Sequence, residues 1–216
     1  SSGPTVPDTT TFTDAQEILK RYGLWKTAPT SIRMLIADGE QGLVEETPKP
    51  GDECFKNVYS VVLGNCQAAA VAALDSLKAE GLNAMLLTAG LEGEARTAGT
   101  TLVSTAAKFI SSSHSQQKPA AIIMSGETVV TVTGKGKGGR NQELVLSAAQ
   151  KLRDLKTPVV VASLSTDGVD GPTDAAGALV DSSTSTKAQT MNLNIDEYLS
   201  RNDSNTFFKT LGDGLI

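Results

Sequence analysis

Between residues 58 and 110 the chain switches repeatedly between two periodicities, and that switching limits its possible folds more than any other feature. Residues 58–63 form a short β-branched run, and residues 65–80 are rich in Ala and Leu at helical spacing until Gly81 closes them. Residues 83–88 read as a second strand and residues 94–110 as a long helix. Strand, crossover helix and strand in that order make a βαβα unit, and right-handed crossovers make its sheet parallel. The expected fold class is therefore α/β.

The flanking regions fit the same class. After a Pro- and Thr-rich entry, Thr13 followed by Gln16 predicts a capping box, and Ala15, Ile18, Leu19 and Tyr22 keep one helical stripe as far as Gly23. A second short helix is expected over residues 31–38 with Gly39 as its stop, and residues 40–57 read as an extended crossing loop. Residues 111–119 are a polar break, where we expect a domain boundary. Beyond it, residues 120–125 and 128–133 predict two strands joined by a tight turn at Gly126-Glu127. A helix over 140–152 and a buried strand over 158–164 follow. Short helices are expected around residues 183–190, 195–200 and 204–211.

Composition narrows the chemistry. The 216 residues allow one large domain or two small ones, and 39% hydrophobic with 20% charged residues is a globular balance. The longest apolar run, residues 68–74, is far too short to span a bilayer. Nineteen Lys and Arg against 24 Asp and Glu, with only 4% aromatics, argue against a nucleic-acid partner. Cys54 and Cys66, the only cysteines, are read as ordinary buried thiols of a reducing compartment. His114, the only histidine, lies in a polar stretch, which leaves no basis for zinc or a Ser-His-Asp triad. Any metal must then take oxygen ligands, which means magnesium or calcium.

Two stretches stand out as carriers of chemistry. Gly134-Lys-Gly-Lys-Gly-Gly-Arg140 sets four glycines and three cations ahead of a predicted helix. Its backbone N–H groups and the helix start suit a phosphate or carboxylate, unless the loop is merely solvated and mobile. It satisfies GxGxxG formally, a weak signal, and is not a P-loop, because Arg140 and Asn141 replace the required Lys and Ser or Thr. The second stretch, residues 165–177, places Asp167, Asp170 and Asp174 after the predicted strand. Carboxylates beyond the end of a parallel strand suit a nucleotide-borne Mg²⁺ or a general base, and Asx turns or helix caps are the structural alternative. Asp167 ranks first for such a role because it follows the strand most directly, Asp174 second, and Asp170, between two glycines, third. Asn202-Asp-Ser-Asn205 reads as an N-cap cluster for the last helix.

Gly138-Gly-Arg-Asn-Gln-Glu143, the 165–178 stretch and Asn202-Asp-Ser-Asn205 with Phe207-Phe208 together resemble the MOFRL domain of the D-glycerate 2-kinases. Residues 2–12 and Glu46-Thr-Pro-Lys-Pro-Gly-Asp52 are similar to the rear of that family's amino-terminal domain. The resemblance implies a chain half the family's length, lacking an amino-terminal half that holds a lysine thought to be catalytic, and inactive alone. It implies residues 1–114 as the back of a Rossmann-like domain and 115–216 as a smaller, truncated MOFRL-like domain, with the glycine and aspartate loops meeting in a cleft.

The implied reaction is ATP-dependent phosphorylation of D-glycerate to 2-phosphoglycerate with Mg²⁺. Arg140 and Asp167 are the implied catalytic residues. Ser125, Gly126, Glu127, Lys135, Lys137, Gly138, Gly139 and Asn141 would bind substrate or phosphate, and Asp167 and Asp174 the metal. The expected partners are small molecules, with a homodimer as the assembly the family allows. The expected location is the cytoplasm, or the mitochondrion in a eukaryote. The alternatives are a hydroxypyruvate reductase, since some members carried that label, and a non-catalytic fragment.

Overall fold

The computed structural model describes residues 3, 5–111 and 119–215. It divides into two compact units, residues 1–63 and 64–216. The expected boundary at 114/115 falls inside the second unit, in a stretch outside the described residues.

The first unit is built on two helices, α1 (Phe12–Arg21) and α2 (Thr30–Glu40). The capping box starts two residues earlier than expected: the Thr11 hydroxyl accepts the Asp14 N–H and the Asp14 carboxylate accepts the Thr11 N–H. Gly39 lies within α2 instead of stopping it, because the Phe12 ring occupies the space a Cβ would need. Asp8 ties the entry segment to the later loop by accepting from the Thr10 hydroxyl and N–H and from the Thr47 hydroxyl. These bonds hold its pKa down at about 2. The strand expected over 58–63 does not form: Tyr59 is 90% and Leu63 96% exposed, and no backbone pairs with them. β-branched residues favour a strand only where a neighbour supplies the ladder and the packing.

The second unit opens with α3 (Cys66–Ala79), capped by the Asn65 side chain on the Ala68 N–H. Strand β1 (Asn83–Leu91), helix α4 (Ala95–Ser111) and strand β2 (Ala120–Gly126) follow, and β1 pairs in parallel with β2, not with residues 58–63 as expected, so the crossover runs through α4 and spans the expected boundary. The hairpin expected at Gly126-Glu127 is absent. The chain instead runs on beside the end of β1, Glu127 N–H donating to Leu91 O and Val129 N–H to Gly93 O, at 2.8 and 2.9 Å. Gly126 is required there, since a Cβ would overlap the Leu91 backbone. Residues 128–133 therefore form no paired strand beyond one bridge between Glu94 and Val129.

Helix α5 (Arg140–Leu152) is the core of this unit, with every residue from Gln142 to Ala149 buried. A helix enclosed on all sides needs partners on all sides. Here α4, the strands β3 (Val160–Leu164) and β4 (Gly177–Asp181), and the helices α7 (Ile195–Ser200) and α8 (Ser204–Leu211) surround it. Gly99 lets α4 approach closely, because a Cβ there would overlap Leu144 O and the Ser147 hydroxyl. Strand β4, which the sequence reading missed, pairs antiparallel with β3 and with the short β5 (Gly214–Leu215). The aspartate loop is thus the connection of an antiparallel pair and not the end of a parallel strand. β3 is buried on one face only, not wholly as expected. Helix α6 (Thr184–Thr190) completes the unit.

Candidate functional site

The glycine loop 134–139 sits where α5 begins, and its glycines serve close packing. A Cβ on Gly134 or Gly136 would collide with the 201–203 backbone, one on Gly138 with the Ser204 hydroxyl, and one on Gly139 with the Asp170 carboxylate. Three of its six N–H groups are engaged within the protein. Gly134 donates to Asn202 Oδ1 at 2.8 Å, Gly136 to Arg201 O at 2.9 Å and Lys137 to Asp203 Oδ1 at 3.0 Å, while Lys137 O accepts the Asn205 N–H. The loop is therefore bonded along its length to residues 201–205 and packed against them. The sequence reading gave that cluster to α8 alone.

The anion expected at the start of α5 is already supplied by the protein. Asp170 is 1% exposed and its carboxylate accepts the N–H groups of Asn141 and Gln142, at 3.0 and 2.9 Å, and their side-chain amides at 3.1 and 3.0 Å. A carboxylate on the orphan donors of a helix N-terminus satisfies both their hydrogen bonding and the helix dipole. Asp170, ranked last among the three aspartates, is the one the fold positions most tightly. It also joins the two loops, and Gly171 comes within 2.6 Å of Gly138 O when given a Cβ. Gly171 has φ +63°, the left-handed backbone that glycine takes most readily.

The other candidates fall into two groups. Asn141 is held inside the unit, its amide donating to Asp170 and Ser165 and accepting from the Ser163 hydroxyl. Ser125, at the end of β2, donates to Cys66 O, which is itself on the surface, as is the Cys66 thiol; Cys54 is exposed too, against expectation. Lys135, Lys137 and Arg140 are exposed, and Arg140 pairs with the exposed Glu127 at 2.9 Å. Asp167 is exposed and accepts the Val169 N–H in an Asx turn. Asp174 pairs with Lys209 at 2.8 Å. That hydrogen bond, with smaller help from Lys137, lowers its pKa below the ordinary carboxylate value. Among the described residues no group of three or more His, Cys, Asp and Glu side chains converges as a metal site. His114 lies outside them.

A buried polar network that the sequence reading missed lies behind the loop. Glu143, 1% exposed, accepts from Arg96 Nε at 2.6 Å and from Asn202 Nδ2 at 3.2 Å, and Arg96 also donates to Leu199 O. The signal available in sequence was a glutamate on the apolar side of a predicted helix, four residues before Ser147. A buried carboxylate of that kind requires a partner.

Residues 120–216 match the MOFRL family, and residues 1–37 match a domain of unknown function, DUF4147. A glycerate 2-kinase of Pyrococcus horikoshii is 39% identical over the whole chain and a D-glycerate 2-kinase of Thermotoga maritima 40%, each with 48% of its own length matched. A putative hydroxypyruvate reductase of Agrobacterium vitis is 37% identical, with 47% of its length matched. The crystal structure of the Thermotoga maritima glycerate kinase superposes with a TM-score of 0.73 at 40% identity, covering 97% of this chain and 47% of that one. The chain spans about half the length of the curated relatives it matches. Residues 120–216 thus match the MOFRL family model, and the chain as a whole is similar to glycerate 2-kinases along about half of their length.

Proposed function

We propose that this chain supplies phosphate-handling and substrate-handling residues to a glycerate 2-kinase, which transfers the ATP γ-phosphoryl group to the 2-hydroxyl of D-glycerate. The observation that carries the reading is the similarity at 39–40% identity along the whole chain to two such kinases. The geometry is in keeping with it: a loop bonded to residues 201–205 presents Lys135, Lys137 and Arg140 to solvent beside the aspartate loop. Phosphoryl transfer depends on positioned cations, a metal and an acceptor for the hydroxyl proton. Lys135 and Lys137 would draw phosphates. Arg140, once released from Glu127, would grip the glycerate carboxylate or the moving phosphoryl group with its planar fork. Ser125, Gly126, Glu127, Gly138 and Gly139 would shape the substrate's surroundings, and Asn141 would act by fixing the start of α5.

A nucleotide-borne Mg²⁺ takes one or two protein carboxylates, and the exposed Asp167 and Asp174 fit that need, Asp174 after leaving Lys209. Bound there, the ion would neutralise charge developing on the phosphates. Asp167 would otherwise accept the proton of the reacting hydroxyl. In the reductase alternative the GxGxxG glycines would face a pyrophosphate. Here they face residues 201–204 and Asp170, and no strand leads into the loop. We assign the reaction to the cytoplasm, or to the mitochondrion in a eukaryote, with a homodimer as the assembly to be tested.

The test is a coupled assay on the longest natural polypeptide carrying this sequence, with ATP and D-glycerate in one arm and NADH and hydroxypyruvate in the other. ADP release in the first supports the kinase; NADH oxidation without ADP release makes it a reductase. In the active protein Asp167→Asn should lower kcat by at least about 10²-fold, the lower end for losing a positioned acid or base, with little change in Tm. Near-normal kcat would remove Asp167 from the mechanism.

A further inference from the structure

We infer that Asn202 is a positioning residue, which sets the cation-bearing loop through its side-chain amide and is itself oriented by the buried Glu143 carboxylate and its half-buried partner Arg96. The inference rests on the kinase reading only for what the loop is held ready to do.

Asn202 follows α7 with φ +53°. The Asn202 N–H donates to Leu199 O and the Asp203 N–H to Tyr198 O, the pair of bonds that ends a helix at a left-handed residue. That role alone would accept glycine as readily as asparagine. The side chain does something a glycine could not. Its Oδ1 accepts the N–H groups of Thr133 and Gly134, both at 2.8 Å, and so fixes the loop where it begins. Its Nδ2 donates to Glu143 Oε2 at 3.2 Å and to Thr131 O at 3.3 Å. The chemistry leaves one orientation of the amide, since two N–H donors face one end and a carboxylate faces the other. Arg96 Nε completes the chain by taking the second Glu143 oxygen at 2.6 Å.

The amide of Asn202 is thus held at both ends, by two N–H donors at Oδ1 and by Glu143 and Thr131 O at Nδ2. Lys135 and Lys137 ride on a loop whose entry is set by Asn202, while its exit into α5 is set by Asp170. An error of about 1 Å in placing reacting groups can lower a rate by about 10²-fold.

Three variants of the longest natural polypeptide test this, each followed by amide hydrogen exchange at Thr133 and Gly134 and by kcat and KM with ATP and D-glycerate. Asn202→Gly keeps the left-handed backbone and deletes the amide. It should speed exchange at both sites at least about tenfold and lower kcat/KM at least about tenfold, with helical content retained. Asn202→Asp sets two carboxylates against each other and should do the same or worse. Adding Glu143→Gln to Asn202→Asp reverses the hydrogen bond, since the new amide donates to the new carboxylate and its oxygen still accepts from Arg96; it should recover most of both losses. Wild-type exchange or wild-type kinetics in Asn202→Gly overturns the proposal, and so does a double variant no better than Asn202→Asp. Should Asn202→Asp fail to fold, Asn202→Gly decides alone. A wild-type protein with no turnover of ATP and D-glycerate ends the kinase reading, and exchange in Asn202→Gly then decides whether Asn202 holds the loop.

Discussion

Residues 58–63 and residues 134–139 invert what composition suggests. The first are mostly apolar and half β-branched, yet they are exposed and without a strand partner. The second are glycine and lysine, the composition of a flexible linker, yet they are fixed by Asn202, Asp203, Asn205 and Asp170. Order along this chain follows from whether donors, acceptors and close contacts find partners, and local propensity does not override that. Glycine at 134–139 lowers the distance of approach instead of raising the freedom of the chain.

If that comparison is right, damage to the partners should cost far more than damage to the apolar run. The largest effect is expected from Arg96→Ala, which leaves the buried Glu143 carboxylate without its guanidinium partner. Breaking a fully buried pair from one side costs about 3–5 kcal/mol, and because Arg96 is 34% exposed the loss, read as ΔG in urea unfolding, is expected at the lower end of that range. A loss below about 1 kcal/mol would show that the network is not what orders the loop.

Asp170→Ala comes next. It leaves the N–H groups of Asn141 and Gln142 without their acceptor and their side-chain amides with only Ser165 and Thr173, for an expected loss of about 2–4 kcal/mol. Formate should restore part of that Tm loss in the variant and leave the wild type unmoved, because it can take the vacated place at the helix start. Equal responses would mean that the carboxylate position is not an anion site.

Val62→Ser should shift stability by less than about 0.5 kcal/mol in the same assay, as an exposed side chain has little apolar area to lose. A loss above 1 kcal/mol would mean that the run is packed in solution. The smallest effect concerns the exposed Asp174, whose pKa is lowered first by the Lys209 hydrogen bond. A depressed carboxylate pKa stabilises the fold above the unfolded value near 4, and the contribution fades as pH falls through the folded value. Lys209→Met should therefore reduce stability slightly at pH 7 and not at pH 2. An undiminished difference at pH 2 would assign the effect to lost packing.

The same contrast explains which parts were legible in sequence. Helix α5 begins and ends where its Leu144–Ala148–Leu152 stripe and the glycines before it said it would, because those signals are local. The alternation of elements gave the α/β class and a parallel sheet but the wrong partner: β1 pairs with β2 and not with residues 58–63, because alternation says nothing of which strand finds a neighbour. The turn at Gly126-Glu127 was misread because a glycine demanded by a neighbouring strand looks the same as one demanded by a hairpin. Strand β4, Gly-Ala-Leu-Val-Asp, is too short and too small-sided to announce itself, and it exists through β3 and β5. Asp170 and Glu143 were undervalued for one reason. Their partners lie 28 or more residues away in sequence, where spacing carries no information.

Asp170 also bears on how an anion would meet this surface. Because the protein's own carboxylate sits at the start of α5, the protein's own groups set the shape of the loop's exit. For a phosphate arriving at Lys135 and Lys137, association would then carry little penalty from ordering the chain, and encounter would be governed by charge and collision rather than by waiting for a rare conformation. Ionic strength, more than temperature or viscosity of loop motion, would set the rate.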